Sequence, residues 1–296
     1  MIYDVRQTTT YAYASPAAYA QHILRLVPIA RERQRVTAAA LDIDPAPVRR
    51  REGRDFFENR TTTIEIDAPH NTLIVKLAAR ITVEPVATAD FDATPSWESV
   101  REMTIASHDL GPQSPVHFIY PSRLISLDPE IRDYVGESFA PGRPILAGAV
   151  EVMKRIKADF TYELGATTVT TAPSMSFALR RGVCQDFAHI MISGLRGLGL
   201  PAAYVSGYLR TVPRSGAARL EGADAMHAWV SVWCGEEIGW IDLDPTNSMM
   251  IGNDHITLAR GRDYADISPV AGIILGTREQ DVDVQVDVIP REEIAA

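Results

Sequence analysis

One amphipathic helix, and the strands that follow it, constrain this chain most. Counting from Phe187, the residues Ile190, Met191, Gly194, Leu195 and Leu198 fall on a single helical face. Gly197, Gly199 and Pro201 close the helix, which begins at or just before Cys184. Three strand-like runs come next: residues 202–210, MHAWVSVWC at 226–234 and GWIDLDP at 239–245, the last two joined by a short Gly-Glu turn. A helix followed by at least three antiparallel strands must bury its apolar face on their sheet, which makes this part of the chain α+β. The polar run 211–224 reads as a loop.

The remainder divides around that unit. A chain of 296 residues suggests two packed units. Residues 1–90 read as a small β-sandwich-like domain, with runs at Ile2–Tyr11, Arg35–Ile43, Thr61–Ile66 and Thr72–Val83 separated by turn residues. Arg49, Arg50, Arg51 and Arg54 read as a solvated hairpin tip. In 91–125, Pro95, Pro112, Pro115 and Pro121 break any period, so this stretch is expected to be a linker or crossover. Residues 126–296 form the core domain. Asp128-Pro129-Glu130 starts a helix reaching about Phe139, and Leu146, Val150, Met153, Ile156 and Phe160 predict another over 144–158. The late run DVDVQVDVI alternates strictly, so a strand with valines inward and acids outward is expected.

Composition excludes several classes. Hydrophobic residues at 46% and charged residues at 23% suit a soluble globular chain. No apolar run approaches the ~18 to 20 residues of a membrane helix, and the opening MIYDVRQTTTY lacks a signal-peptide pattern, so a cytosolic protein with no membrane partner is expected. A net charge of −9 argues against a nucleic-acid partner. Two cysteines are too few for a disulfide framework or a thiolate metal site. His22, His70, His108, His117 and His255 show no paired ligand spacing, and no Gly-rich phosphate loop occurs, so neither metal nor cofactor is expected.

The chemistry gathers at three places. Cys184 sits where unpaired helix N–H groups favour an anion, which suits a thiolate nucleophile; an inert buried cysteine is the bland alternative. On MHAWVSVWC, His227, Trp229, Ser231 and Trp233 share one face and Ala228, Val230, Val232 and Cys234 the other, and the Trp face is expected to meet the Cys184 helix. A two-residue Gly235-Glu236 turn would set Asp244 opposite His227, and a turn two residues longer would leave it diagonal. Asp242 shares the parity and stays open by this count. Cys184, His227 and Asp244 together would supply nucleophile, base and orienting acid. Asp186 reads as helix-start stabilisation, Gln185 as that or a cleft-lining group, His189 as a structural histidine turned from the sulfur, and Cys234 as packing. Trp229 and Trp240 read as core or cleft wall. The polar cluster at 262–266 reads as a loop held by its own salt bridges, or as part of the substrate pocket.

GVCQDFAH (182–189), MHAWVSVW (226–233) and GWIDLDPTN (239–247) resemble the three catalytic motifs of the bacterial transglutaminase-like superfamily, a relative of the papain fold. YPS at 120–122, GRDYADISPVAG at 261–272 and the β-rich first segment extend the resemblance over nearly the whole chain. It implies Cys184 as nucleophile, His227 as acid/base and Asp244 as the orienting carboxylate. It also implies a papain-like core behind an N-terminal β domain, and thiol-dependent acyl transfer on a peptide, protein or amide-bearing small molecule. Hydrolysis by a cysteine peptidase or amidase is the favoured form. A transglutaminase or other amide-forming enzyme, and a non-catalytic peptide-binding module, are the alternatives. In similar proteins the N-terminal domain carries an Asp-x-x-Gly-Asn turn, whereas this chain reads Asp55-Phe56-Phe57-Glu58-Asn59. That difference bears on the turn's geometry.

Overall fold

The computed structural model describes residues 1–31, 33–85, 90–211, 225–276 and 279–291. The N-terminal part is all β: β1 (Ile2–Ala17), β2 (Tyr19–Leu24), β3 (Gln34–Asp44), β4 (Arg49–Arg54), β5 (Arg60–Ile66) and β6 (His70–Val83). Then come α1 (Trp97–Ala106), α2 (Pro129–Gly136), α3 (Ile145–Asp159), β7 (Thr161–Tyr162), α4 (Pro173–Leu179), β8 (Arg181–Gly182) and α5 (Cys184–Gly197). The chain finishes with β9 (Ala202–Leu209), β10 (Ala225–Trp233), β11 (Trp240–Asp244), β12 (Met249–Met250), β13 (His255–Gly261), α6 (Tyr264–Ile267), β14 (Val270–Leu275) and β15 (Gln280–Arg291). The fold is α+β and mostly antiparallel.

Two four-stranded sheets, ordered β15-β1-β6-β3 and β14-β2-β5-β4, form the sandwich. Tyr3, Val5, Leu73, Val75 and Ile81 of the first sheet pack on Leu24, Ile64 and Ile66 of the second. Both sheets take a strand from the chain's end. β15 pairs with β1 from Ile2–Arg291 to Tyr13–Gln280, and β14 pairs with β2. This corrects the assignment of the whole of 126–296 to the catalytic core, because strand patterning reveals that a strand exists but not which sheet receives it. The expected alternation in β15 is corrected too: Val286 and Val288 are buried, whereas Val282 and Val284 are half-exposed beyond the reach of the sandwich core. The arginine run is an exposed strand, β4, paired with β5, and not a hairpin tip.

The stretch expected as a linker holds α1. Its N-cap Ser96 accepts the Ser99 N–H, and Val100 and Thr104 are buried. A capped two-and-a-half-turn helix fits between the prolines that disrupt the pattern on either side. The two helices read from the sequence form as α2, whose N-cap Asp128 accepts the Glu130 and Ile131 N–H groups, and α3.

The catalytic-type sheet is ordered β12-β11-β10-β9-β13. Against it lies α5, whose Phe187, Ala188, Ile190, Met191 and Leu195 share a core with Ala202, Tyr204, Ala228, Val230, Val232 and Leu243. The helix therefore meets the Ala/Val face of β10, correcting the expectation that it meets the Trp face. Small and β-branched side chains let a helix approach a sheet closely, and indoles would hold it off. The opposite face carries the fully buried Trp229, and Tyr208, Ile256 and Leu258 join the sandwich core from β9 and β13. Asn59 fastens the two units: its Nδ2 donates to Arg260 O (2.7 Å) and its Oδ1 accepts from Arg260 N–H (2.8 Å). The turn that presents Asn59 keeps its shape without glycine. Asp55 Oδ1 accepts the Phe57 and Asn59 N–H groups, and Glu58 occupies the left-handed position at φ 65°.

Candidate active site

Cys184 is the first residue of α5 and is partly buried. Its own N–H belongs to the first helical turn, where no intrahelical acceptor exists. Asp186 completes the helix start, with Oδ2 accepting the Val183 N–H (2.8 Å) and the Thr167 hydroxyl (2.6 Å). Burial pushes the Asp186 carboxyl up, and those hydrogen bonds oppose the rise. Gln185 is turned away, donating its Nε2 to Val169 O (2.9 Å), and so anchors the preceding loop.

His227, near the start of β10, directs Nε2 to Asp244 Oδ2 at 2.8 Å. That leaves Nδ1 as the nitrogen on the side away from Asp244, and the Cys184 thiol is near enough to act on the ring electrostatically. Burial alone would push this imidazole down. The hydrogen bonds to Asp244 and Cys184, with the charges on both, prevail and raise it to about 10. Asp244, at the end of β11, is fully buried. Burial opposes its ionisation, but donors from His227, His255 and Asn247 hold its carboxyl well below the usual carboxylate range. Oδ1 accepts Thr246 N–H (2.9 Å) and Asn247 N–H (3.2 Å), and Oδ2 also accepts Asn247 Nδ2 (2.7 Å).

The register explains which acid reaches the imidazole. Val230 pairs with Leu243, Ser231 with Asp242 and Trp233 with Trp240, so the β10–β11 turn is two residues longer than the tight Gly-Glu turn. Cys234 N–H reaches Gly239 O (2.8 Å), and Gly235 and Gly239 both have positive φ. Asp244 is consequently diagonal to His227. Asp242 accepts Trp229 Nε1–H (3.2 Å) and lies 3.7 Å from Arg31, so it braces the indole and does not touch the imidazole.

Other side chains take structural places. His189 is buried, accepts the Tyr264 N–H through Nε2 (3.3 Å), and is driven by burial down to about 4. Cys234 is fully buried, and its thiol is pushed up to about 12. Trp229 is core: its ring lies over Gly207, where a Cβ would sit 2.3 Å from the indole Cη2. Trp240 is half-buried beneath the Arg260 guanidinium at 3.6 Å, with its Nε1–H on Gln113 O. In the polar cluster, Arg262 pairs with Asp266 (2.8 Å) and Asp263 caps α6. A cavity of about 550 Å³ whose lining includes Arg25, Asp55, His117, Tyr120, Arg262 and Asp266 lies between the units and includes none of Cys184, His227 or Asp244. Of the loop 211–224, all but Thr211 falls outside the described residues.

Sequence reasoning missed His255. Its Nε2 lies 3.3 Å from Asp244 Oδ2, while its Nδ1 accepts Gly252 N–H (3.3 Å). His227, Asp244 and His255 each offer a ligand atom within 4.8 Å of the others, and so form a possible metal-binding group. Hydrogen bonding accounts for this proximity without an ion: with Nδ1 acting as acceptor, His255 carries its proton on Nε2 and donates it to the carboxylate.

A helix that starts at a cysteine, beside a sheet that presents His and Asp, is the arrangement expected of a papain-like core. Residues 3–84 match the bacterial transglutaminase-like N-terminal region, and residues 133–245 match the transglutaminase-like superfamily. An uncharacterized protein of Mycobacterium tuberculosis is 37% identical over 98% of this chain and 93% of its own length. The chain belongs to the transglutaminase-like superfamily. A protein-glutamine gamma-glutamyltransferase of Pseudomonas aeruginosa is 27% identical over 55% of this chain and 24% of that protein. A crystal structure described provisionally as a cysteine protease, from Cytophaga hutchinsonii, shares the fold with a TM-score of 0.76 at 20% identity, covering 99% of this chain and 92% of that one. No helix among the described residues is long and apolar enough to cross a membrane.

Proposed function

We propose that the protein is a cysteine-dependent acyl-transfer enzyme that opens a peptide or amide bond through a thioester, with water as the usual acceptor. The observation that carries this reading is the buried Asp244 carboxylate on His227 Nε2, with the Cys184 thiol near enough to act on the same ring. The Cys184 sulfur, with protonated His227 beside it, attacks the carbonyl carbon and forms a tetrahedral oxyanion. The Cys184 N–H is one donor to that oxygen. His227 then protonates the leaving amine, the C–N bond breaks, and the acyl group stays on sulfur. In the second half the same imidazole takes a proton from water as it attacks the thioester, and the thiol is released. Asp244 holds the ring through Nε2 in both halves.

Water resolves the thioester unless an amine is held in preference, and Cys184 remains partly open to solvent. Transamidation is the second reading, supported by the likeness to the Pseudomonas glutamyltransferase. A peptide, a protein or an amide-bearing small molecule is the substrate class. The two unpaired thiols, Cys184 and Cys234, fit the reducing compartment of a cytosolic protein. A screen of amide substrates with the wild type and Cys184→Ala tests the proposal, since turnover in the wild type alone supports it and equal turnover in both refutes it. Adding a primary amine then separates the two outcomes: its incorporation into product indicates transfer, and unchanged hydrolysis counts against it.

A further inference from the structure

Asp244 carries more donors than the orientation of one imidazole requires. His227, Asn247 and His255 all donate to Oδ2, at 2.8, 2.7 and 3.3 Å. His255 comes from β13, three strands away from β11 in the sheet order, and is itself held on two sides. Gly252 N–H enters its Nδ1, and its ring meets Trp229 edge-on at 5.4 Å and 83°. The Trp229 indole is fixed in turn by Asp242. The His255 side chain has no exposed surface. A buried imidazole that merely filled space would leave its polar nitrogens to be satisfied, and an apolar side chain would do that work better. Among the described residues, the only carboxylate the ring addresses is the one behind His227. The titratable groups facing it are Asp244 from β11 and His227 from β10, the latter ring 6.2 Å away between centroids. Its neighbour Asp254 is turned to Arg210 and to Tyr3 of the sandwich.

We infer that His255 is a positioning residue for the acyl-transfer site, its neutral Nε2–H holding the Asp244 carboxylate in the orientation that receives His227. The inference rests on the acyl-transfer reading above. A neutral donor suits the role, because it restrains the carboxylate without adding a second positive charge beside the His227 imidazolium.

The test is the pH profile of Cys184 alkylation by iodoacetamide in the full chain, with labelling mapped to Cys184 by peptide analysis. Wild type, His255→Ala and His255→Gln are compared, and thermal melts are taken for all three. Expected are fast labelling of the wild type from mildly acidic pH upward and a loss of about 10-fold or more in His255→Ala, the order seen for outer partners of metal ligands. The onset of fast labelling should also move to higher pH, toward that of a free thiol, because a His227 imidazolium on a misoriented carboxylate stabilises the Cys184 thiolate less. Gln presents an N–H at a reach similar to Nε2, so His255→Gln should recover most of the rate and the range. A wild-type profile in His255→Ala overturns the inference, as does a His255→Gln defect equal to that of His255→Ala when both melt like the wild type. If His255→Ala does not fold, His255→Gln decides alone: near-wild-type labelling supports the role, and a slow, shifted profile refutes it. Absence of fast labelling in the wild type itself would instead sink the acyl-transfer reading, and the His255 role with it.

Discussion

The Asp244 carboxylate lies 2.8 Å from His227 Nε2 and has no exposed surface. Asp244→Asn keeps the shape and removes the charge, so the ring loses both its fixed tautomer and the partner that keeps it protonated. Alkylation of Cys184 at mildly acidic pH should fall toward that of a free thiol, and turnover on any amide substrate found should drop by roughly 10³ to 10⁴. Retained fast labelling in a folded Asp244→Asn variant would show that the carboxylate is not coupled to the sulfur.

The same pair sets a pH window for stability. His227 is raised in the fold to about 10, from ~6.5 when unfolded. Its contribution is therefore complete below about 6.5 and is lost as pH rises through about 10. Asp244 is depressed, so its contribution is present above ~3.9 and is lost as pH falls below that value. These are two ends of one interaction and do not add. Melting temperatures should decline from neutral toward pH 10, and His227→Gln should flatten that decline. A wild-type melting curve indifferent to alkaline pH would contradict the assignment.

At the Asp55–Asn59 turn, Glu58 is exposed and holds φ 65°. A left-handed residue with a Cβ costs ~1 to 2 kcal/mol, part of which glycine gives back as extra freedom when unfolded. Glu58→Gly should raise the urea midpoint by the equivalent of up to about 1 kcal/mol. A lowered midpoint would mean that the Glu58 side chain makes a contact worth more than the backbone strain.

Gly207 on β9 is tested in the opposite sense. A methyl group there would sit 2.1 Å from Ile256 O and 2.3 Å from the Trp229 indole. Backbone cannot yield as a flexible side chain can, so Gly207→Ala should destabilise by about 2 to 3 kcal/mol. It should also slow Cys184 labelling, because Trp229 borders both His227 and His255. Unchanged stability by denaturant titration would refute the close approach.

Much of this site could be read from residue order because its parts are local. The apolar spacing from Phe187 to Leu198 and the glycines after it define α5, and with it the helix-start position of Cys184. Period-2 parity restricts the acid to Asp242 or Asp244. Parity cannot measure a turn, however, and it is Gly235 and Gly239, both with positive φ, that lengthen the β10–β11 connection and make Asp244 diagonal. Parity does not say which face of β10 meets α5, and close approach selects Ala228, Val230 and Val232. His255 was invisible for a different reason: β13 lies three strands from β11 in the sheet, and no spacing along the chain records the approach of its first residue to Asp244. The destinations of β14 and β15 are likewise a matter of pairing between distant segments.

Because β1 lies between β6 and β15, it is made long before one of the two strands that cover its edges. Everything from α1 to α6 must be synthesised in the interval. During that time a long edge with Tyr3 and Val5 beside it is open to pairing with other chains, a hazard that ends only when β15 emerges. Loss of that strand would therefore be felt first in aggregation during synthesis.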